Sequence, residues 1–139
     1  MEFTEIDNTA ADLIYKATAK IAEGFDENHH RLVTAILTEE GNVHYGINLQ
    51  LDKIKRASAC SESGAISNVI LNKEHPKLLV AVRKPPKQAD EHDIIVVNPC
   101  GLCREMLTDY YPSLEVVVIT PLGVKKCVIS ELLPLKYGK

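Results

Sequence analysis

Two short cysteine motifs restrict this chain's topology more than anything else in it. Cys60-Ser61-Glu62 lies near the middle, and Pro99-Cys100-Gly101-Leu102-Cys103-Arg104 follows about forty residues later. If the three cysteines serve one centre, the fold must carry two segments far apart in sequence to a common point. Three thiolates can hold a zinc ion and leave its fourth position open to water, which is the arrangement of a catalyst. A fourth protein ligand would make the same ion a structural staple. Glu62, two residues past the first cysteine, is placed to move a proton of that water.

The spacing alone says less, because Cys-x-x-Cys fits structural zinc, a redox pair or chance. The flanking residues narrow it. Pro99 fixes the chain entering the turn, Gly101 lets backbone approach an ion, and Arg104 can neutralise thiolate charge. Cys60 and the Cys100/Cys103 pair each fall near the start of a predicted helix, where N–H groups and the dipole favour thiolate. Cys100 and Cys103, three residues apart, share one helical face. Glu62 by itself is an ordinary first-turn acid, and only Cys60 beside it gives it a chemical reading.

The 139 residues fit one domain, 1–139, with a real core. An apolar content of 45% excludes a disordered chain, and a net charge of −3 excludes a strong polyanion-binding field. No apolar run is long enough for a membrane span. The opening Met1-Glu2-Phe3-Thr4-Glu5 is acidic, unlike a secretory signal. The four cysteines are therefore expected as thiols and ligands in a reducing cytoplasm.

Asp7, Asn8 or Thr9 can cap a first helix through about Ala22, with Leu13, Ala17 and Ile21 on one face. Leu32 to Thr38 and Val43 to Leu49 read as strands of a hairpin turning at Glu39-Glu40-Gly41-Asn42. Cys60 to Leu71 reads as a helix and Leu78 to Val82 as a buried strand. Pro85 to Asp93 is a polar loop, and the apolar Ile94 to Val97 leads into the second motif. Cys100 to Tyr110 is a helix. Glu115 to Thr120 and Val124 to Ile129 are strands around Pro121-Leu122-Gly123, and Ser130 opens a short last helix stopped by Pro134. Helices on both faces of one mixed, five-stranded sheet would bury these strands, giving an α/β protein with three α/β/α layers.

Cys-x-Glu followed by Pro-Cys-Gly-x-Cys-Arg resembles the cytidine deaminase family in its three-cysteine zinc form. The run Pro99 to Tyr110 and the ending Glu131-Leu132-Leu133-Pro134-Leu135-Lys136-Tyr137 are similar to the branch containing bacterial blasticidin S deaminase. The likeness extends from about Ala10 to Tyr137. It implies the three-layer deaminase sandwich and one Zn2+ per chain on Cys60, Cys100 and Cys103. It also implies hydrolytic removal of the cytosine amino group, with Glu62 moving protons from water to the ring nitrogen and the departing ammonia. Cytidine or deoxycytidine is the expected substrate; the alternative is blasticidin S or another cytosine nucleoside analogue. Family members of this length are commonly homotetramers, so a homo-oligomer, tetramer or dimer, is expected.

The resemblance also assigns supporting roles. Arg104 matches an arginine that hydrogen-bonds a ligand sulfur, offsetting the formal charge of −1 that three thiolates give a zinc site. Many relatives carry a second arginine where this chain has Ser63. Asn48 matches a ribose-contacting asparagine within Asn-x-Glu, but the chain reads Asn48-Leu49-Gln50, and an amide accepts hydroxyl hydrogen bonds more weakly than a carboxylate. Asn48, Gln50 and Ser61 are the expected substrate contacts. Arg31, after His29 and His30, stands where many relatives stack an aromatic ring on the base; it either stacks as a plane or is solvated. Tyr137 either covers the site's mouth or lies at a surface. Cys127, in an apolar strand, is expected in the core. The five histidines show no ligand spacing; His44 is expected on a strand surface, and His92 is the one conceivable fourth, structural ligand.

Two readings of other classes stand beside this one. A non-enzymatic, zinc-stabilised binding module would need a fourth protein ligand. A nucleic-acid editing enzyme would need a basic, aromatic-rich surface, against which the acidic balance, two Phe and no Trp argue. Neither nucleic acid nor membrane is an expected partner.

Overall fold

The computed structural model describes residues 2–26, 28–86 and 93–138. Asp7 caps the first helix, α1 (Asn8–Ala22), by accepting the Ala10 N–H at 2.9 Å. Before it lies a two-residue strand, β1 (Thr4–Glu5). Strands β2 (Leu32–Thr38) and β3 (Val43–Ile47) form the expected hairpin. A 3-10 turn (Lys55–Ala57) precedes α2 (Ser61–Leu71). Then come β4 (Pro76–Arg83), β5 (Ile95–Val97), α3 (Gly101–Tyr110), β6 (Glu115–Thr120) and β7 (Gly123–Val128). The last helical piece is a 3-10 turn (Ile129–Leu132) that starts before Ser130, with Val128 in the capping position. Part of the expected polar loop, residues 87–92, lies outside the described residues. No described helix is long and apolar enough to cross a membrane.

The sheet is mixed and runs β1-β7-β6-β4-β2-β3, with β4 and β6 its parallel pair. Among the described residues it has seven strands where the sequence predicts five. β1 adds to the far edge against β7, where Glu5 pairs with Lys125 and Asp7 with Lys126. β5 lies antiparallel to β4 on the flank opposite β2. That flank of β4 is shared: β6 covers Leu78 and Leu79, and β5 covers Ala81 to Arg83. Beyond β5, the Asn98 amide continues the pairing as a backbone would, donating to the Ile119 carbonyl and accepting its N–H.

Alternation sorts the strand side chains onto two faces. Val33 and Ala35, with Leu78, Val80 and Val82, pack under Ala10, Leu13, Ala17 and Ile21 of α1. The intervening Ile36, Leu79, Val116 and Val118 pack under Ala65, Ile66 and Val69 of α2 and Leu107 of α3. One helix thus covers one face and two helices the other, which makes the three layers. Cys127 is buried in the second cluster, as expected.

Helix α2 lies unusually close to the sheet. A Cβ placed on Gly46 of β3 would stand 2.3 Å from both the Ala65 nitrogen and the Ser61 carbonyl oxygen. Glycine is the residue that permits this approach. Gly46→Ala is therefore expected to push the start of α2 off the sheet. It should destabilise the protein by about 1–3 kcal/mol and reduce its metal content, read by thermal melting and metal analysis. An unchanged melting temperature would mean that the helix is held by other contacts.

Candidate active site

Both cysteine motifs end at helix starts on the same side of the sheet. Cys60 is the capping residue of α2 and Cys100 that of α3, and Cys103 sits in the first turn of α3. Their sulfurs all lie within 4.8 Å of one another, with Cys60 and Cys100 3.4 Å apart. Zn–S bonds of about 2.3 Å in a tetrahedron place sulfurs about 3.8 Å apart, so the donor set fits a zinc ion. Cys103 is buried, Cys60 half-buried and Cys100 exposed, which leaves one side of the cluster open. Among the described residues the cluster holds these three ligands; His92 lies outside those residues.

The thiols press on one another electrostatically. Burial pushes Cys103 far above the usual thiol range, and the Glu62 carboxylate beside it adds to the rise. Burial likewise raises Cys60, with Cys100 contributing. Cys100 ends below its ordinary value: burial acts to raise it, but the Cys103 N–H and the neighbouring thiols outweigh that. A set of thiols held this close to a carboxylate becomes thiolate readily only when a cation sits among them.

Glu62 is 5% exposed, an uncommon place for a carboxylate. It is not solvated as an ordinary first-turn acid would be. Its Oε1 accepts from the Thr34 hydroxyl at 2.9 Å and from the Ser61 hydroxyl at 3.0 Å, and those hydroxyls are 2.8 Å from each other. Ser61 is thus placed beside Glu62 with its hydroxyl turned inward. Thr34, on β2, is a residue that sequence reasoning missed. The available signal was a hydroxyl in the middle of an otherwise apolar strand, Leu32-Val33-Thr34-Ala35-Ile36-Leu37.

The remaining expected contacts gather at one rim. Leu49 and Ala59 form an antiparallel bridge, which ties the Asn48-Leu49-Gln50 segment to the residue before Cys60. Gln50 is exposed. The Asn48 amide accepts the Leu32 N–H at 3.0 Å and donates to the His29 carbonyl at 3.0 Å, so it pins the entry to β2. His30 Nδ1 donates to the Asn48 carbonyl at 2.9 Å. The His29 ring joins Asp52 and Asp26, and those carboxylates raise its pKa, Asp52 foremost. Arg31 is half-buried on the same stretch.

Four further residues named from the sequence have the following surroundings. Arg104 donates to the carbonyls of Pro99 at 2.8 Å and Leu132 at 3.3 Å, tying the entry of α3 to the C-terminal turn, with no hydrogen bond to a sulfur among the described residues. Ser63, in the position of the second arginine, donates to the Cys60 carbonyl at 2.8 Å. Tyr137 is exposed on the tail, and His44 is half-buried on β3 and paired with Glu74 at 2.8 Å. A groove of about 280 Å³ opens along Ala59, Cys60, Leu102, Cys103 and Met106. A larger cavity of about 470 Å³ lies at the other end of α3, near Tyr110 and Pro112, away from the cysteines.

Comparison with known proteins agrees with this geometry. No protein-family model matches the chain. The blasticidin-S deaminase of Bacillus cereus is 33% identical over 140 residues, covering 100% of this chain and 99% of that protein. Solved structures of cytidine deaminases share the fold. The Bacillus anthracis enzyme superposes with a TM-score of 0.75 at 19% identity, over 94% of this chain and 90% of that one. The Mycobacterium tuberculosis enzyme gives 0.70 at 20%, over 96% and 100%. The chain belongs to the cytidine deaminase family, in its blasticidin-S deaminase-like branch.

If the three sulfurs form one metal site, the wild-type protein should bind a single equivalent of zinc, and Cys103→Ala should bind almost none. Metal analysis after dialysis reads this directly. Retention of a full equivalent by that variant would place the ion elsewhere.

Proposed function

We propose that this chain is a zinc-dependent hydrolase that removes the amino group from the cytosine ring of a small nucleoside, releasing ammonia. The observation that carries this reading is the Glu62 carboxylate, buried beside Cys103 and clamped by two hydroxyls at the edge of a three-sulfur cluster. Cys60, Cys100 and Cys103 would hold the ion. When bound, zinc lowers the proton affinity of its water ligand and so supplies a nucleophile near neutral pH.

Every other role falls to the chain. Glu62 takes a proton from water as its oxygen adds to the ring carbon and delivers that proton to the ring nitrogen; the water's second proton then passes to the amino group, which leaves as ammonia when the C–N bond breaks. Ser61 contributes through its main-chain N–H in the first turn of α2, because its hydroxyl is engaged by Thr34 and Glu62. Asn48 and Gln50 serve the sugar side of the ligand through the bridge that sets them against Ala59. A zinc-stabilised module without catalysis would need a fourth protein ligand, and the described cluster supports three.

Cytidine and deoxycytidine are the default substrates. Blasticidin S is the second reading, favoured by the 33% identical relative and by an exposed Gln50 where the family carries a carboxylate. Assembly as a homotetramer or dimer belongs to the same proposal, since the outer face of α2 and α3 leaves Ile70, Leu71 and Tyr110 exposed in the single chain. Light scattering would report it.

Ammonia release is the test, with cytidine, deoxycytidine and blasticidin S run in parallel. Glu62→Gln is expected to keep its zinc and lose about 10²- to 10⁴-fold in turnover. Near-normal turnover by Glu62→Gln would remove Glu62 from the proton path. Turnover of blasticidin S alone would select the second reading.

A further inference from the structure

We propose that Thr34, acting together with Ser61, is the positioning residue that fixes the Glu62 carboxylate for catalysis. The assignment rests on the deaminase reading for its kinetic consequence, but its structural content stands apart from it. Thr34, Ser61 and Glu62 are 0%, 1% and 5% exposed, so their polar groups must satisfy one another. The three oxygens form a triangle with sides of 2.8, 2.9 and 3.0 Å. Two hydroxyl protons serve those three contacts. Both hydroxyls can donate to Oε1 of Glu62, so the two donors hold one end of the carboxylate while Cys103 lies beside it.

The sheet register explains why a threonine can do this. Thr34 pairs with Gly46 on one side and Ala81 on the other, and Ala81 pairs in turn with Val97. Residues opposite one another in a sheet share a face. The floor beneath the start of α2 is therefore built from a glycine, a threonine and an alanine. Gly46 lets α2 settle, so a side chain as short as threonine reaches Glu62 from the strand. A larger residue at 34 would occupy the carboxylate's place, and an apolar one would leave the carboxylate a single hydroxyl donor, that of Ser61.

A buried carboxylate held by one donor in place of two has more than one rotamer within reach. Displacing a catalytic group by about 1 Å can cost about 100-fold in rate. Substrate affinity should change little, since Thr34 is buried beneath Glu62 and exposes nothing to a ligand.

The test compares wild type with Thr34→Val, which keeps the shape and deletes the hydroxyl, Thr34→Ala, which covers any strain from valine, and Thr34→Ser, which restores the hydroxyl. Zinc content, melting temperature, kcat and KM are measured for each, and the zinc-loaded proteins are crystallised. Thr34→Val is expected to bind a full equivalent of zinc and keep its KM within about twofold. Its kcat should fall about 10- to 100-fold, and Glu62 should spread over several rotamers. Thr34→Ser should recover most of the rate and the single rotamer. A Thr34→Val or Thr34→Ala protein that loses stability alone, with kcat intact or with Glu62 held as in wild type, overturns the assignment. Wild-type protein silent on all three nucleosides would sink the proposed reaction, while the rotamer comparison would still decide the role of Thr34.

Discussion

The distance between helix α2 and the sheet governs this molecule. At Gly46 the helix backbone lies where any side chain would stand, and the first turn of α2 takes its height from that contact. Cys60, Ser61 and Glu62 occupy the first turn, directly above the row in which Gly46, Thr34, Ala81 and Val97 align across four strands. The same row delivers the second motif. β5 ends at Val97, Asn98 borrows the last pairing of the edge, and Pro99, without an N–H, turns the chain up into α3. Two helix starts meet because both rise from one line of the sheet. A slip of one residue in that register would turn Thr34 to the α1 face and separate it from Glu62.

Much of this was legible in the sequence, and for reasons that differ from residue to residue. The cysteines and Glu62 could be read because their chemistry demands a particular set of atoms at a particular spacing. α1 could be read because Leu13, Ala17 and Ile21 recur on one stripe and Asp7 stands at its start. β1 could not, because two residues carry no period; the strand exists through Glu5 and Asp7 meeting Lys125 and Lys126, a pairing across almost the whole chain. β5, at three residues, is nearly as short, and its identity depends on the free flank that β6 leaves on β4. Thr34 was hidden by its strand. Both faces of β2 are buried, so alternation gives no polar face against which a single hydroxyl stands out. Arg104 was read through its adjacency to Cys103. One residue along a helix is a rotation of about 100°, and among the described residues its guanidinium donates to the carbonyls of Pro99 and Leu132.

Electrostatics ties the metal to the fold. Three thiols and a carboxylate crowd a site where burial already opposes charge on Cys60 and Cys103. Helix starts supply some compensation, yet their partial charges are smaller than the charge that three thiolates carry. A divalent cation held there would reverse the balance, converting mutual repulsion into bonds from two helices and so fastening α2 to α3. Affinity for the ion is in this sense also affinity between two parts of the chain.

The join between β4 and β5 has a consequence for where Cys100 stands. Arg83 and Ile95 are direct partners, so the chain leaves the sheet and returns to it at the same point. Whatever number of residues spans that excursion, the return address is set by the ladder. The ladder therefore sets where β5 begins, and Cys100, three residues past Val97, takes its place from that pairing whatever the path between Arg83 and Ile95.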